Sequence, residues 1–152
     1  MNETMTETLE ATGVTPLNDL LKACLAAQET YGVAIRRIEK RHDQAAIALR
    51  VLQQDHSENV HKIQKLILSL GGDPKVLAAP TALVTRAMEG VVSLFGDVSA
   101  LRPLRDEEER CLEAARRAEP FLDDSPRSLL EMHLIPRLEK HVELLDALMS
   151  RS

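Results

Sequence analysis

The chain contains no tryptophan, one tyrosine and two phenylalanines among its 152 residues. With Tyr31, Phe95 and Phe121 as its aromatics, it lacks the stacking platforms on which single-stranded nucleic acids are bound, and Leu, Ile, Val and Ala must build the interior. A positive balance is missing as well. Nineteen Lys+Arg face 24 Asp+Glu, a net charge of -5, which argues against a sequence-independent grip on phosphate backbones. Its two cysteines, Cys24 and Cys111, lie far apart with no CxxC or CxxH around either. Neither a zinc knuckle nor a disulfide framework is expected; both thiols read as small core residues, and a reducing cytoplasm fits. No window approaches the roughly 18 apolar residues of a membrane span, and the acidic segment 1–10 lacks the apolar core of a secretory signal. Glycine-rich phosphate loops, GxSxG elbows and HExxH are absent too, so catalysis is not the expected role. These absences predict a cytoplasmic, soluble protein that binds neither nucleic acid nor membrane.

What is present is one domain's worth of apolar side chains, 44% of the chain, with 28% charged residues to cover it. Residues 1–14 carry Thr and Glu without periodicity and read as a loosely ordered leader; residues 15–152 form the domain. Thr15 and Pro16 open a first helix, along which Leu17, Leu21, Cys24, Gln28, Tyr31, Ile35 and Ile38 recur at alternating steps of four and three. Asp43 caps a second helix with the same rhythm through Ala45, Leu49, Leu52, His56, Asn59, Ile63, Leu66 and Leu70, ended by Gly71 and Gly72. A looser stretch from Asp73 to Pro80 leads to an element over about 80–95, broken at Gly96. Such a connection suits a long crossover in a four-helix bundle. Leu101, Leu104, Glu108, Cys111, Ala115, Ala118 and Leu122 then resume the seam; Asp123 to Pro126 stops that helix and caps a last one carrying Leu134, Leu138, His141, Leu145 and Leu148. Pro136 must bend the last helix or be absorbed by local repacking.

Each seam has a polar residue at its middle: Gln28, His56, Glu108 and His141, with Gln53 one turn before His56. In an antiparallel hairpin, residues equidistant from the turn lie level. Gln28 and His56 are equidistant from residue 42, and Glu108 and His141 from the Asp124–Ser125 turn, so each pair shares a layer. Unpaired buried polar groups are costly, so the expected arrangement is a closed hydrogen-bond network that fixes helix register. The alternative is a metal site, since His nitrogens and a carboxylate suit a first-row transition ion. Tyr31, one turn from Gln28, is placed with its hydroxyl on this layer.

The stretches from Leu17 to Leu21, Glu29 to Tyr31, Leu70 to Pro74 and Glu108 to Ala114 resemble the small bacterial ferritin-like bundles of unassigned function, relatives in fold of rubrerythrin and bacterioferritin. The resemblance covers about residues 15–150. It implies an all-α, ferritin-like four-helix bundle, up-down-down-up, with the long crossover between helices 2 and 3. Active members of the wider group hold two irons on a Glu, a Glu-x-x-His, a Glu and a second Glu-x-x-His. At those positions this chain has Gln28, Gln53-x-x-His56, Glu108 and Leu138-x-x-His141, so three carboxylates are replaced. Two divalent ions beside one carboxylate would be badly undercompensated, which argues against ferroxidase chemistry.

Two functional expectations follow. The first is a non-catalytic bundle without a cofactor, acting by self-association or by docking a protein partner, with the polar layer structural. Dimerisation is expected through Ile47, Val51 and Leu68 on the outer face of the second helix. The second is one transition-metal ion, Fe, Zn or Mn, held by His56, Glu108 and His141 with Gln28, Gln53 and Glu29 as neighbours, in a redox or storage role. The literal Glu58-x-x-His61 lies on the opposite helix face, and His42 and His133 read as surface or helix-boundary residues.

Overall fold

The computed structural model describes residues 13–38, 43–75 and 101–150. Among these residues the protein is all-helical, with four helices and no strand. They are α1 (Val14–Ile38), α2 (Asp43–Ser69), α3 (Leu101–Ala118) and α4, which runs as Asp124–Leu129, a π-helical turn Leu130–Leu134 and Ile135–Ser150. The expected leader up to residue 12, residues 39–42 with His42, and the expected element over about 80–95 lie outside the described residues, as does the side chain of Asp43.

Helix ends follow local chemistry. Gly13, at φ +82°, offers its carbonyl to the Leu17 N–H, so α1 starts two residues before the expected Thr15–Pro16 opening; Pro16 sits in the first turn, where its missing N–H has no partner to lose. At the end of α2, Gly72 N–H bonds the Ile67 carbonyl and Gly71 N–H that of Leu68, with Gly71 at φ +81°. This is a Schellman cap, and it needs Gly71 because only glycine enters that backbone region without strain. A 3-10 turn, Glu119–Phe121, ends α3, and Asp123 begins α4 with extended backbone. Pro136 is accommodated by the π-helical turn before it: Ile135 N–H bonds the Leu130 carbonyl, five residues back, and the helix continues with Leu138, His141 and Leu145 inward.

Contacts fix the directions. Gly72 packs on Val14, and Asn18 holds the chain after α2 by accepting from Lys75 N–H at 2.8 Å and donating to the Asp73 carbonyl at 3.1 Å, so α1 and α2 are antiparallel. Gly13 lies against Leu122 while Tyr31 reaches Glu108, which makes α3 antiparallel to α1. Arg105 donates to Asp146 at 2.6 Å and Arg137 to Glu58 at 3.1 Å, so α4 runs opposite to both α3 and α2. The order is up, down, down, up.

The core divides in two along the bundle. One cluster gathers Leu17, Leu21, Ile63, Ile67, Leu134 and Leu138 at the end where α1 begins; the other gathers Ile35, Ile38, Leu49, Leu52, Leu104 and Leu145. Each fully buried Leu or Ile contributes about 1.5–3 kcal/mol relative to exposure. Between the two clusters lie His56, Glu108 and His141, all buried.

Candidate functional site

One oxygen joins all four helices. Glu108 Oε1, from α3, accepts from the Tyr31 hydroxyl of α1 at 2.5 Å and faces His56 Nε2 of α2 at 2.7 Å and His141 Nδ1 of α4 at 3.1 Å. His141 Nε2 faces Asp55 Oδ2 of α2 at 2.9 Å. The rings pack on one another, with centroids 5.5 Å apart for Tyr31 and His56 and 5.2 Å for His56 and His141. Tyr31, His56 and Glu108 are 0% exposed and His141 is 2%.

Burial and partners set the charges. Burial alone would raise the Glu108 carboxyl, but His141 and His56 more than offset this and lower it to about 2. Burial likewise works against charge on His56, yet Cys24 and Glu108 raise it to about 10. Tyr31 is pushed far above its ordinary range by burial and by the Glu108 charge, so it is a neutral donor and not a phenolate. Both nitrogens of His141 face carboxylate oxygens, Nδ1 that of Glu108 and Nε2 that of Asp55.

Three of the four expected layer residues meet here; Gln28 does not. The helix α1 contributes Tyr31 instead, one turn further on, while half-buried Gln28 offers its backbone carbonyl to Gln53 Nε2 at 3.2 Å. The reason is geometric: Gly32 lets α1 approach the Gln53 side chain closely, and the tyrosine hydroxyl reaches across the bundle to a carboxylate that an amide at position 28 does not contact. Glu29 is half-buried and takes no part in the layer's hydrogen bonds. Glu58 and His61 are exposed, with Glu58 paired to Arg137, and His133 is exposed.

Two features were not read from the sequence. Asp55 is off the seam by one position, and its role exists only because α4 brings His141 against it. Cys24 and Cys111 come together: their sulfurs and a ring nitrogen of His56 lie within 4.8 Å of one another, all fully buried, and both cysteines are free. The Cys111 thiol holds Cys24 below the ordinary thiol range, assisted by His56 and opposed by burial, while Cys111 is pushed well above it by Cys24 and by burial. A seam of small residues hides such a meeting, because which layers of α1 and α3 coincide depends on the chain between α2 and α3.

The ligand atoms of His56, Glu108 and His141 also lie within 4.8 Å of one another. Glu108 Oε2 and His56 Nδ1 are buried without a hydrogen-bond partner. Leaving such atoms unmet costs roughly 1–3 kcal/mol each. Compared with family models, curated proteins and solved structures, the chain matches none.

Proposed function

We propose that the protein is a metal-binding bundle of ferritin-like arrangement, with a long crossover from α2 to α3, that holds one divalent transition ion, Fe, Zn or Mn, on His56, Glu108 and His141. The parallel course of α2 and α3 supports the ferritin-like order. The observation that carries the metal reading is the charge around Glu108. Two carboxylates, Glu108 and Asp55, face two imidazoles, and His56 Nε2 and His141 Nδ1 both face Glu108 Oε1. One divalent ion matches the charge of the two carboxylates, whereas two ions would overload the layer. Asp55 behind His141 is the carboxylate that orients a ligating imidazole, and the unpartnered Glu108 Oε2 gives the carboxylate a second oxygen for the ion. The role of Tyr31 is to donate to Glu108 and hold it in place.

Elemental analysis after native purification tests this. One ion per chain is expected, lost in His56→Ala and His141→Ala, with about one proton released from His56 when the metal-free protein is reloaded near neutral pH. Metal-free protein that takes up none of the three ions would refute the proposal.

A second reading is favoured by the saturation of Glu108 Oε1, which already faces three donors. In that reading the layer is a structural lock and the bundle acts by self-association as a homodimer, or by docking a protein partner, through Ile47, Val51 and Leu68, which are 59%, 57% and 61% exposed. It predicts metal-free protein, a dimer in solution that Val51→Lys dissociates, and easier unfolding after the two histidine changes. A monomer unaffected by Val51→Lys would sink it.

A further inference from the structure

We propose a second metal site, distinct from the carboxylate layer and specific for a soft monovalent ion, cuprous copper, formed by Cys24 of α1, Cys111 of α3 and His56 of α2. Two thiols from different helices converge with an imidazole, all three side chains 0% exposed and their ligand atoms within 4.8 Å of one another. The histidine has two faces. Nε2 is taken by Glu108 at 2.7 Å, and Nδ1 is buried without a hydrogen-bond partner. In an apolar core a ring nitrogen in that state is unstable unless something meets it, and the sulfurs are the soft donors beside the ring.

The donor set selects the ion. Thiolates favour Cu(I) over the hard cations that carboxylates take, and Cu(I) accepts low coordination numbers. Zinc in a closed structural site takes four ligands, and no fourth His, Cys, Asp or Glu among the described residues joins this group. The surrounding wall is apolar: Leu21, Ala27, Ala115 and Leu138 belong to the same buried cluster as both sulfurs. Such a wall keeps out water, which stabilises a cuprous thiolate against exchange and oxidation. On binding, the ion displaces the thiol protons and the proton on His56 Nδ1 to solvent, and no change of oxidation state is involved.

The inference does not depend on the divalent site, although His56 serves both through different nitrogens. The experiment is a titration of reduced, metal-free, full-length protein with Cu(I) under anaerobic conditions, in competition with a chromophoric cuprous chelator. The expected result is withdrawal of one Cu(I) per chain from the chelator. Cys24→Ala and Cys111→Ala should each weaken binding by about 100-fold or more, since even orienting partners of metal ligands are worth about 10–100-fold. His141→Ala should bind Cu(I) as the wild type does while losing the divalent ion; the cysteine variants should show the converse. X-ray absorption on the wild-type copper form, which needs no variant to fold, should find two sulfur neighbours. A chelator that keeps its copper, cysteine variants that bind as well as wild type, or a copper shell of nitrogen and oxygen alone would each overturn the proposal and leave the divalent reading untouched.

Discussion

Replacing Glu108 by Gln keeps the shape of the side chain and an acceptor oxygen for Tyr31 while removing the one charge on which His56 and His141 converge. The magnitude follows from the carboxyl's own titration. Its pKa falls from 4.5 to about 2 in the folded protein, and at about 1.4 kcal/mol per unit this corresponds to roughly 3 kcal/mol of preferential stabilisation of the ionised form. Removing one partner of a buried ion pair costs about 3–5 kcal/mol, so the two routes agree. A depressed carboxyl contributes stability that is fully present above the unfolded value and disappears as the pH falls through the folded one. The gap between wild type and Glu108→Gln should therefore be constant between about pH 5 and 6.5, narrow steadily from pH 4.5 towards pH 2 and close there, and narrow again above pH 6.5 as the proton that Glu108 helps hold on His56 is lost. Urea unfolding of the metal-free proteins, followed by far-ultraviolet circular dichroism at pH 7, 5, 4 and 3, measures that gap. A difference below about 1 kcal/mol at pH 7, or one that does not narrow in acid, would show that Glu108 is not held as a buried anion by its two imidazoles.

Tyr31→Phe removes one donor from Glu108 Oε1 and should cost about 2 kcal/mol in urea unfolding, the worth of a buried hydrogen bond to a charged group. Asp55→Asn leaves His141 its contact but not the counter-charge, and should weaken Zn affinity about 10–100-fold in competition with a chelator while leaving the helical spectrum unchanged. Affinity for the divalent ion should fall about 10-fold for each pH unit lost below neutrality, because the proton held on His56 competes for its place; a titration with calorimetry at two pH values checks this. Gly72→Ala would set a Cβ 2.6 and 2.8 Å from the two methyls of Val14, so thermal unfolding should report a loss of about 1–3 kcal/mol that Val14→Ala partly restores.

The helices were legible because their information is local. Seams at steps of three and four, a double glycine after α2 and the Asp-rich turn before α4 are properties of neighbouring residues, and they placed Leu17, Leu49, Ile63, Leu104 and Leu145 in the core where the structure has them. The level pairing of Glu108 with His141 was legible for the same reason, since a short turn fixes the register of a hairpin. Pro136 could be recognised as a strain, but not its remedy, since a π-helical turn is a response to packing on both sides.

What passes between hairpins was legible only in part. The mid-helix positions brought His56 to Glu108 and His141 and put the Tyr31 hydroxyl on their layer, as the structure has them. They did not reveal that Gln28 stays out, that Asp55 backs His141 or that Cys24 faces Cys111; each of these depends on how the two halves dock. By itself the sequence determined most of the buried face of each helix, because burial follows from periodicity along one helix, although Gln28 and Leu66 on those faces are only half-buried. Tertiary structure alone decided which buried polar groups would share an oxygen, a sulfur or a proton, because hydrogen bonds and metal ligation depend on separations of a few ångströms between helices, and a shift of one turn between the hairpins would separate every one of these groups.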